Sequence, residues 1–313
     1  MTNPAPEPYH VPVLAAEVTA HLVTDPDGAY LDLTLGGGGH TAAIASALSR
    51  DGRIYAVDRD PDALAAARTR LAGIGQVRQL VEASFSDVLA ATADFPDRRF
   101  TGILLDLGVS SHQIDDPDRG FTFQKNGPLD MRMAPTLTTS AADLIQTLSE
   151  KELTDIIREF GEERHAARLA RALVRERQTD MIRTTARLAE VVSQVITGPH
   201  RVKSLARVFQ AFRIAVNREL DELRSVLPAA VSILAPSGRI AVISYHSLED
   251  RIVKRYFQDE SRAKDLYEGL PVPNKDVPGR LRLINRKPIE PSKAEIDANP
   301  RSRSAKLRIA ERV

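Results

Sequence analysis

The sequence predicts an α/β protein with a doubly wound parallel sheet that is interrupted by a mostly helical insertion. Strand-like and helix-like segments alternate over the first hundred residues, and this alternation stops after residue 108. Strands separated by helices of about 10–15 residues form right-handed βαβ units and hence a parallel sheet. A chain of 313 residues is long enough for one large α/β domain and an inserted second unit.

The first four predicted strands are short and apolar, and turn residues or a carboxylate follow them. The strands are predicted at 30–33, 53–57, 77–81 and 102–105, and the helices between them at 41–48, 60–71 and 86–93. The second of these helices has the best-marked start, because Asp60 precedes Pro61, and proline is favoured at the first position of a helix.

The sheet pattern returns only near the C-terminus. Residues 108–142 are rich in turn residues, and residues 143–227 have helical spacing with almost no strand pattern. A further strand is predicted at 239–244, a helix at 248–257 and a last strand at 306–310. We therefore predict that residues 1–112 and 225–313 form the α/β domain and that residues 113–224 form the helical insertion.

Composition excludes several classes of site. The chain has no cysteine, which excludes disulfides, thiolate catalysis, iron–sulfur clusters and cysteine-ligated zinc. Its seven histidines lie far apart without metal-ligand spacing, so we expect no metal site. No apolar run approaches the ~18 residues of a membrane span, and the N-terminus lacks the features of a signal peptide. We expect a cytoplasmic protein with no membrane partner; the sequence does not indicate its oligomeric state.

The net charge of +1 conceals a separation of charge along the chain. Residues 1–156 carry 12 basic and 22 acidic side chains, whereas residues 157–224 carry 14 and 9, and residues 281–313 carry 9 and 4. The basic excess is mostly arginine, which pairs with phosphate in a bidentate manner. This distribution is compatible with nucleic acid binding, although solvated helix faces give the same pattern.

A glycine-rich turn follows the first predicted strand and opens the first helix. Gly36, Gly38 and Gly39 allow a ligand to approach the backbone, and the helix N-terminus presents unpaired N–H groups. Asp58, at the end of the second strand, is placed to accept hydrogen bonds from ribose hydroxyls. Together they predict a nucleoside site; tight turns without a ligand are the alternative.

The spacing of the turn distinguishes between nucleosides. The dinucleotide fingerprint G-x-G-x-x-G lacks its third glycine here, because Thr41 stands in that place. Instead, Asp32 precedes Gly36 by four residues, which resembles the first motif of S-adenosylmethionine-dependent methyltransferases, where the carboxylate addresses the methionine end of the ligand. A nicotinamide-dependent oxidoreductase is the weaker alternative.

Nine sequence blocks resemble the small-subunit (16S) ribosomal RNA cytosine-N4 methyltransferases, the MraW/RsmH family. They occur in family order along nearly the whole chain, and the blocks at 119–133 and 235–257 are highly specific. The blocks are HVPVL at 10–14, GGGGHT at 36–41, AVDRDP at 56–61, ILLDLGVSS at 103–111, RGFTFQKNGPLDMRM at 119–133, GEERHAARLARAL at 161–173, FQAFRIAVNREL at 209–220, APSGRIAVISYHSLEDRIVKRYF at 235–257 and NPRSRSAKLRIAER at 299–312.

The resemblance implies a Rossmann-like class I methyltransferase fold with a mostly helical inserted domain. It implies methyl transfer from S-adenosylmethionine to the exocyclic N4 amine of a cytosine in the decoding region, with the small ribosomal subunit or its rRNA as partner. Matched position by position, the family's cofactor contacts fall on Gly38, Gly39, His40, Asp58, Phe85, Asp106 and Gln113. His112 stands where the family usually has proline.

Asp106 is the predicted catalytic residue, because it ends a buried strand where ligands bind in open parallel sheets. The exocyclic amine of cytosine is a poor nucleophile, so transfer gains from an acceptor for its N–H proton. The diagnostic Asp/Asn-Pro-Pro-aromatic tetrapeptide is absent, and Asp106 is assigned to the cofactor, the target amine or both; a cap at the end of the strand is the alternative.

Other side chains have two interpretations each. Phe121 and Phe123 either stack on an unpaired base or anchor their loop, and His246 either contacts substrate or caps a helix beside Tyr245. One predicted helix face carries an arginine stripe that favours RNA docking over a lid; its members are Arg164, Arg168, Arg171 and Arg175, with Arg183 further along. A second basic contact is predicted at Arg301, Arg303, Lys306 and Arg308.

Two further functions compete with rRNA methylation. A non-catalytic RNA-binding or ribosome-assembly module is opposed by the intact Asp32, glycine turn, Asp58 and Asp106. A methyltransferase for a small molecule is opposed by the basic insertion and the basic C-terminal segment.

Overall fold

The computed structural model describes residues 12–265 and 276–313, which form two compact units. The first unit comprises the chain up to Gly108 together with Leu220–Val313, and the second comprises Val109–Glu219. His10, which opens the first of the family blocks, lies outside the described residues.

The first unit is built on a seven-stranded sheet in the order β3-β2-β1-β4-β5-β9-β8. Strands β1 to β5 are parallel, and β9 is antiparallel to both β5 and β8. The strands are β1 (Ala29–Asp32), β2 (Arg53–Asp58), β3 (Val77–Glu82), β4 (Phe100–Asp106), β5 (Leu234–Ser244), β6 (Lys264–Asp265), β7 (Asp276–Val277), β8 (Leu281–Leu283) and β9 (Lys306–Arg312), of which β6 and β7 form a separate pair. The predicted Rossmann-like α/β fold is confirmed.

The helices divide between the two units, α5 to α10 belonging to the second. They are α1 (Ala15–Leu22), α2 (Gly39–Ala47), α3 (Pro61–Arg70), α4 (Val88–Ala91), α5 (Ser111–Asp115), α6 (Ala141–Thr147), α7 (Glu150–Glu159), α8 (Ala166–Arg177), α9 (Thr185–Val195), α10 (Arg201–Asn217), α11 (Glu219–Ile233), α12 (Ser247–Glu260) and α13 (Lys293–Ala298). Among the described residues, no helix is both long enough and apolar enough to cross a membrane.

Both faces of the sheet are covered, which explains why its central strands are continuously apolar. Alternate strand residues point to opposite faces. Leu31 and Val242 pack on one face with Leu223 of α11, whereas Tyr30 and Ile243 pack on the other with residues of α1 and α2. This arrangement exposes the carboxyl ends of β1, β2 and β4 at one edge, on either side of the point where the strand order reverses.

The unit boundaries lie a few residues before the predicted ones at 112/113 and 224/225. The second boundary differs because α11 belongs to the sheet: Leu223 and Leu227 are buried in its core. The predicted helix at 86–93 is shorter, a 3-10 turn at Phe85–Asp87 followed by α4. Helices α1 and α13 and strand β8 were not predicted.

The second unit has a core of its own, formed mainly by α6 to α10. The carboxamide of Asn217, at the end of α10, joins this bundle to a loop: its Oδ1 accepts from the Met133 N–H at 2.8 Å. Its Nδ2 donates to the carbonyls of Met131 at 2.7 Å and Arg213 at 2.8 Å. Because Asn217 is buried, these three hydrogen bonds replace contacts with water.

We predict that Asn217→Ala lowers the free energy of unfolding of the second unit by about 2 kcal/mol, because buried partners are left unpaired. Hydrogen exchange of the α10 amides measures this change. Ser193→Ala, which removes one hydroxyl bond to the carbonyl of Ala189 in α9, is the control and should cost less than about 0.5 kcal/mol. Equal protection in both variants would contradict the prediction.

Candidate active site

Three carboxylates end three neighbouring parallel strands of the first unit: Asp32 on β1, Asp58 on β2 and Asp106 on β4. Asp32 pairs with Ala56 and with Leu104 in the sheet register, so the three carboxylates share one edge. Each of the three has a different set of partners, and these partners determine what each carboxylate can do.

Asp32 is fully buried, and its carboxylate stabilises the fold. Its Oδ2 accepts from the Thr41 hydroxyl at 2.7 Å, and its Oδ1 accepts from the Thr34 N–H at 3.0 Å. Burial raises the pKa of Asp32, although the hydrogen bond from Thr41 and the nearby His40 oppose this. The carboxylate therefore ties the end of β1 to α2, whereas the sequence pattern had it address a ligand.

The glycine turn brings backbone close to other elements. Gly38 is the N-cap residue of α2; its φ of 75° lies in the left-handed region, and it offers no side-chain cap. A Cβ on Gly38 would lie 3.1 Å from Leu71, and one on Gly39 would lie 3.2 Å from Pro12. The turn thus forms a cradle of bare backbone, with the first N–H groups of α2 directed outward along the helix axis.

Asp58 fixes the other side of this turn. Its Oδ2 accepts from the Gly36 N–H at 2.7 Å, and its Oδ1 accepts from the Asp60 N–H at 2.9 Å. Burial raises its pKa to about 6, even though both backbone bonds favour the ionised form. Each carboxylate oxygen keeps a lone pair that remains available to a hydroxyl donor.

Phe85 follows β3 and packs partly buried against the sheet core. The guanidinium carbon of Arg59 lies 5.8 Å from the centre of its ring. Glu222 of α11 holds this corner together, because it is 3.5 Å from Arg59 and accepts from the Ser84 hydroxyl at 2.7 Å. The ring of Phe85 is therefore fixed beside the end of β2.

Asp106 is held from both sides by side chains of other elements. Its Oδ1 accepts from the Tyr245 hydroxyl at 2.9 Å, and its backbone N–H donates to the Thr34 hydroxyl at 2.6 Å. Its Oδ2 lies 3.4 Å from His40 Nε2, close enough for an ion pair but not aligned as a hydrogen bond. The carboxylate is thus anchored on one oxygen, with the other directed towards His40.

The two partners of Asp106 have altered proton affinities. Burial and then the Asp106 carboxylate raise the pKa of Tyr245 well above 10, so the phenol stays a neutral donor. Burial alone would lower the pKa of His40, but the carboxylates of Asp106, Asp32 and Glu295 outweigh it and raise the pKa. The Tyr245 phenol therefore stays a donor to Asp106, and the carboxylates around His40 favour its protonated form.

Six of the seven predicted site residues lie at this edge of the first unit: Gly38, Gly39, His40, Asp58, Phe85 and Asp106. Gln113 belongs to the second unit, where it forms a capping box with Ser110 at the start of α5. Its Oε1 accepts from the Ser110 N–H at 3.1 Å. His112 is the second residue of the same helix.

The structure gives Phe121 and Phe123 packing contacts and gives His246 a capping bond. Phe121 and Phe123 are partly buried on the core of the second unit, and Phe123 meets Phe209 edge-on with ring centres 5.3 Å apart. His246 caps α12, with Nδ1 accepting from the Glu249 N–H at 3.4 Å. These contacts support the anchoring interpretation of the two phenylalanines, and base stacking stays the alternative.

Three of the four arginines of the predicted stripe lie on one helix of the structure. Arg168, Arg171 and Arg175 are exposed on α8, whereas Arg164 precedes the helix. Arg171 Nε is 3.4 Å from Glu150, and Arg168 donates to the carbonyl of Val195 at 3.3 Å. The stripe therefore remains a candidate contact with RNA, although two of its members also serve the fold.

The sequence patterns missed the partners of Asp106. Tyr245 was placed at this rim without a role, and Thr34 and Glu295 were not considered. Glu295, on α13, accepts from the Leu14 N–H at 2.7 Å and thereby caps α1 beside the site. The strand order could have pointed to Tyr245. Because β4 and β5 are adjacent parallel strands, the residue that follows β5 lies beside Asp106 at the end of β4.

The model of the MraW methylase family matches residues 7–313. The chain belongs to this family. The methylase is 48% identical to the ribosomal RNA small subunit methyltransferase H of Thiobacillus denitrificans, with 98% of both chains covered. It is 44% identical to the protein of that name from Heliobacterium mobile, with 97% of this chain and 99% of the relative covered. The expectation of an enzyme of the methyltransferase class is confirmed, and the oxidoreductase alternative is dropped.

Solved structures are more distant from this methylase. A putative rRNA-methylase from Clostridium thermocellum is 12% identical, with a TM-score of 0.42 over 96% of this chain and 95% of that one. A putative methyltransferase from Streptococcus mutans in complex with SAH is also 12% identical, with a TM-score of 0.42 over 96% of both chains.

We predict that Tyr245→Phe lowers the rate of methyl transfer by about 10- to 100-fold, because the Asp106 carboxylate loses the donor that holds one oxygen. Tyr55→Phe is the matched control: Tyr55 donates to Asp97 at 2.7 Å near the amino-terminal edge of the same sheet. Steady-state kinetics should show a loss of kcat for Tyr245→Phe alone. A similar loss in both variants would indicate general damage to the sheet instead.

Proposed function

We propose that this methylase transfers a methyl group from S-adenosylmethionine to the exocyclic N4 amine of a cytosine in the decoding region of small-subunit rRNA. The observation that carries the proposal is the anchored Asp106 beside the glycine turn, in a chain similar over its length to proteins named ribosomal RNA small subunit methyltransferase H. The small ribosomal subunit is the proposed partner, and the cytoplasm the proposed location.

The residues present suit S-adenosylmethionine. Gly38 and Gly39 keep the turn free of side chains, because a Cβ on either would meet Leu71 or Pro12, and the start of α2 offers N–H donors to a carboxylate. Asp58 would accept from the ribose hydroxyls, and the Phe85 ring would border the adenine. When bound, the cofactor supplies an electrophilic methyl group on a sulfonium. The family resemblance also assigns Gln113, a residue of the second unit, to the cofactor.

Asp106 has the role of orienting the amine and accepting its hydrogen bond. The lone pair of the amine is delocalised into the cytosine ring, so it becomes nucleophilic only as its N–H bond is polarised. A carboxylate fixed by Tyr245 and Thr34 can hold the amine in one direction without reorganising. His40 Nε2 lies 3.4 Å from the other carboxylate oxygen, and the carboxylates around it raise its pKa, which favours the cationic form that would offset the charge of Asp106.

The proposed substrate requires the target base to leave its stack. Unstacking costs a few kcal/mol, and contacts with the RNA backbone can offset that cost. The exposed arginines of α8 are proposed to make such contacts, because arginine pairs with phosphate in a bidentate manner. The contribution of the second unit is thus proposed to be binding energy rather than chemistry.

We predict that Asp106→Asn lowers methyl transfer by at least about 100-fold and leaves the protein folded. Labelled S-adenosylmethionine is offered with small subunits from a strain lacking this gene, and separately with naked rRNA. Nucleoside analysis should find the label on the exocyclic nitrogen of cytosine. Asp97→Asn, at the opposite edge of the sheet, should retain activity. A wild-type protein that binds cofactor but labels neither substrate would refute the proposed function.

We predict that affinity for S-adenosylmethionine falls as the pH drops below about 6. The pKa of Asp58 is raised to about 6, so protonation begins there and removes the acceptor for ribose hydroxyls. Titration calorimetry should show a constant Kd at pH 7–8 and a rise approaching tenfold per pH unit below 6. Asp58→Asn should bind weakly with little pH dependence; a steep dependence retained in that variant would assign it to another group.

A further inference from the structure

The active edge of the sheet continues beyond Asp106 into strands that carry positive charge. Asp106 pairs with Ile243 on β5, and the next residue, Ser244, pairs with Lys306 on β9. Strands lie ~4.8 Å apart, which puts the backbone of Lys306 roughly 10 Å across the sheet from Asp106. Lys306 therefore stands at the same edge as the proposed catalytic carboxylate.

Arg308 and Lys306 share the carboxylate of Asp250. We call these three residues the Asp250 cluster, together with Lys254 on the same helix as Asp250 and Arg286, whose carbonyl accepts from Arg308. Arg308 binds Asp250 through two nitrogens, at 2.6 and 3.2 Å, and Lys306 Nζ lies 3.9 Å from the same carboxylate. Arg308 also donates to the carbonyl of Arg286 at 3.4 Å, and Lys254 lies one helical turn after Asp250 on α12.

The members of the cluster have different roles. Arg308 is buried, and its guanidinium is neutralised by Asp250, so it organises the cluster and is not a surface contact as the sequence had suggested. Lys254 and Arg286 are exposed, and among the described residues neither side chain has a carboxylate partner within 4.0 Å. Lys306 is partly exposed and shares Asp250 with Arg308. The cluster therefore presents a net positive surface on a fixed base.

We propose that Lys254, Arg286 and Lys306 form a docking surface for the phosphate backbone of the RNA that carries the methylated base. The inference rests on the proposed function and deepens it. Ammonium and guanidinium groups stay charged at physiological pH and bind phosphate without reading sequence, so they position a strand. The location favours RNA over an acidic protein, because a strand whose base reaches Asp106 has its neighbouring phosphates within this range of the edge.

The test compares two triple variants of the full chain. Lys254→Gln, Arg286→Gln and Lys306→Gln together remove the docking surface and leave Arg308 and Asp250 intact. Arg50→Gln, Arg68→Gln and Arg78→Gln together remove three exposed cations near the opposite edge of the sheet and serve as the control. Binding of a labelled single-stranded rRNA fragment is followed by fluorescence anisotropy across salt concentrations, and methyl transfer to small subunits is measured in parallel.

We expect the cluster variant to bind the rRNA fragment at least about tenfold more weakly, with KM for subunits raised and affinity for S-adenosylmethionine unchanged. The slope of log affinity against log salt should fall by about 2, because three phosphate contacts on a single strand each contribute ~0.7. Unchanged cofactor affinity confirms that the variant is folded. Lys254→Glu alone, on an exposed helix face, should weaken RNA binding in the same direction.

Several outcomes would overturn the proposal that this surface binds RNA. One is a cluster variant with wild-type affinity and salt slope, and another is an equal loss in the control triple variant. Polyglutamate binding that is lost in the cluster variant while RNA binding persists would assign the surface to an acidic protein. If wild-type protein methylates neither substrate, the proposed function fails, and the anisotropy experiment still decides whether the surface binds RNA.

Discussion

The placement of three carboxylates at one edge of an apolar sheet, Asp32 buried and Asp58 and Asp106 half-buried, is the constraint on which the rest of the structure depends. Parallel neighbours end at the same edge, so Asp32, Asp58 and Asp106 are brought together by register alone. Burying a carboxylate is costly unless it is paired or hydrogen-bonded. The surrounding loops are therefore arranged largely by the donors that these three groups require.

The allocation of donors separates the three roles. Asp32 is satisfied by Thr41 and Thr34, and Asp58 by the backbone of Gly36 and Asp60, so both shape the glycine turn. Asp106 instead takes its donor from Tyr245, a side chain supplied by another strand end. Gly108 accommodates that ring: its φ is 101°, and a Cβ there would lie 3.4 Å from Tyr245. Asp106 is thereby left as an anchored carboxylate that faces the edge of the sheet.

The sequence patterns predicted the features that depend on interactions between residues close in sequence. The strands, the start of α3 at Pro61 and the position of Asp106 follow from apolar runs, proline preference and strand ends within a few residues. Tyr245, Thr34 and Glu295 could not be assigned, because their partners are 139, 72 and 281 positions away in sequence. Phe123 was ambiguous for the same reason, since a ring suited to stacking on a base is equally suited to packing on Phe209. The sequence suggested a surface cation at Arg308, because its partner Asp250 meets it only in the folded chain.

The same constraint explains why cations stand beside the carboxylates. RNA is a polyanion, and an edge with one buried and two half-buried acids repels it at short range, where a low dielectric strengthens the interaction. Arg308 and Asp250 form an ion pair that also engages Lys306, and the exposed Lys254 follows Asp250 by one turn of α12. The backbone of Lys306 stands roughly 10 Å from Asp106, about one Debye length at 0.1 M salt, so its charge offsets that repulsion without neutralising the carboxylate that the chemistry needs. Attraction and reaction are thus assigned to β9 and β4, two strands of one sheet with β5 between them.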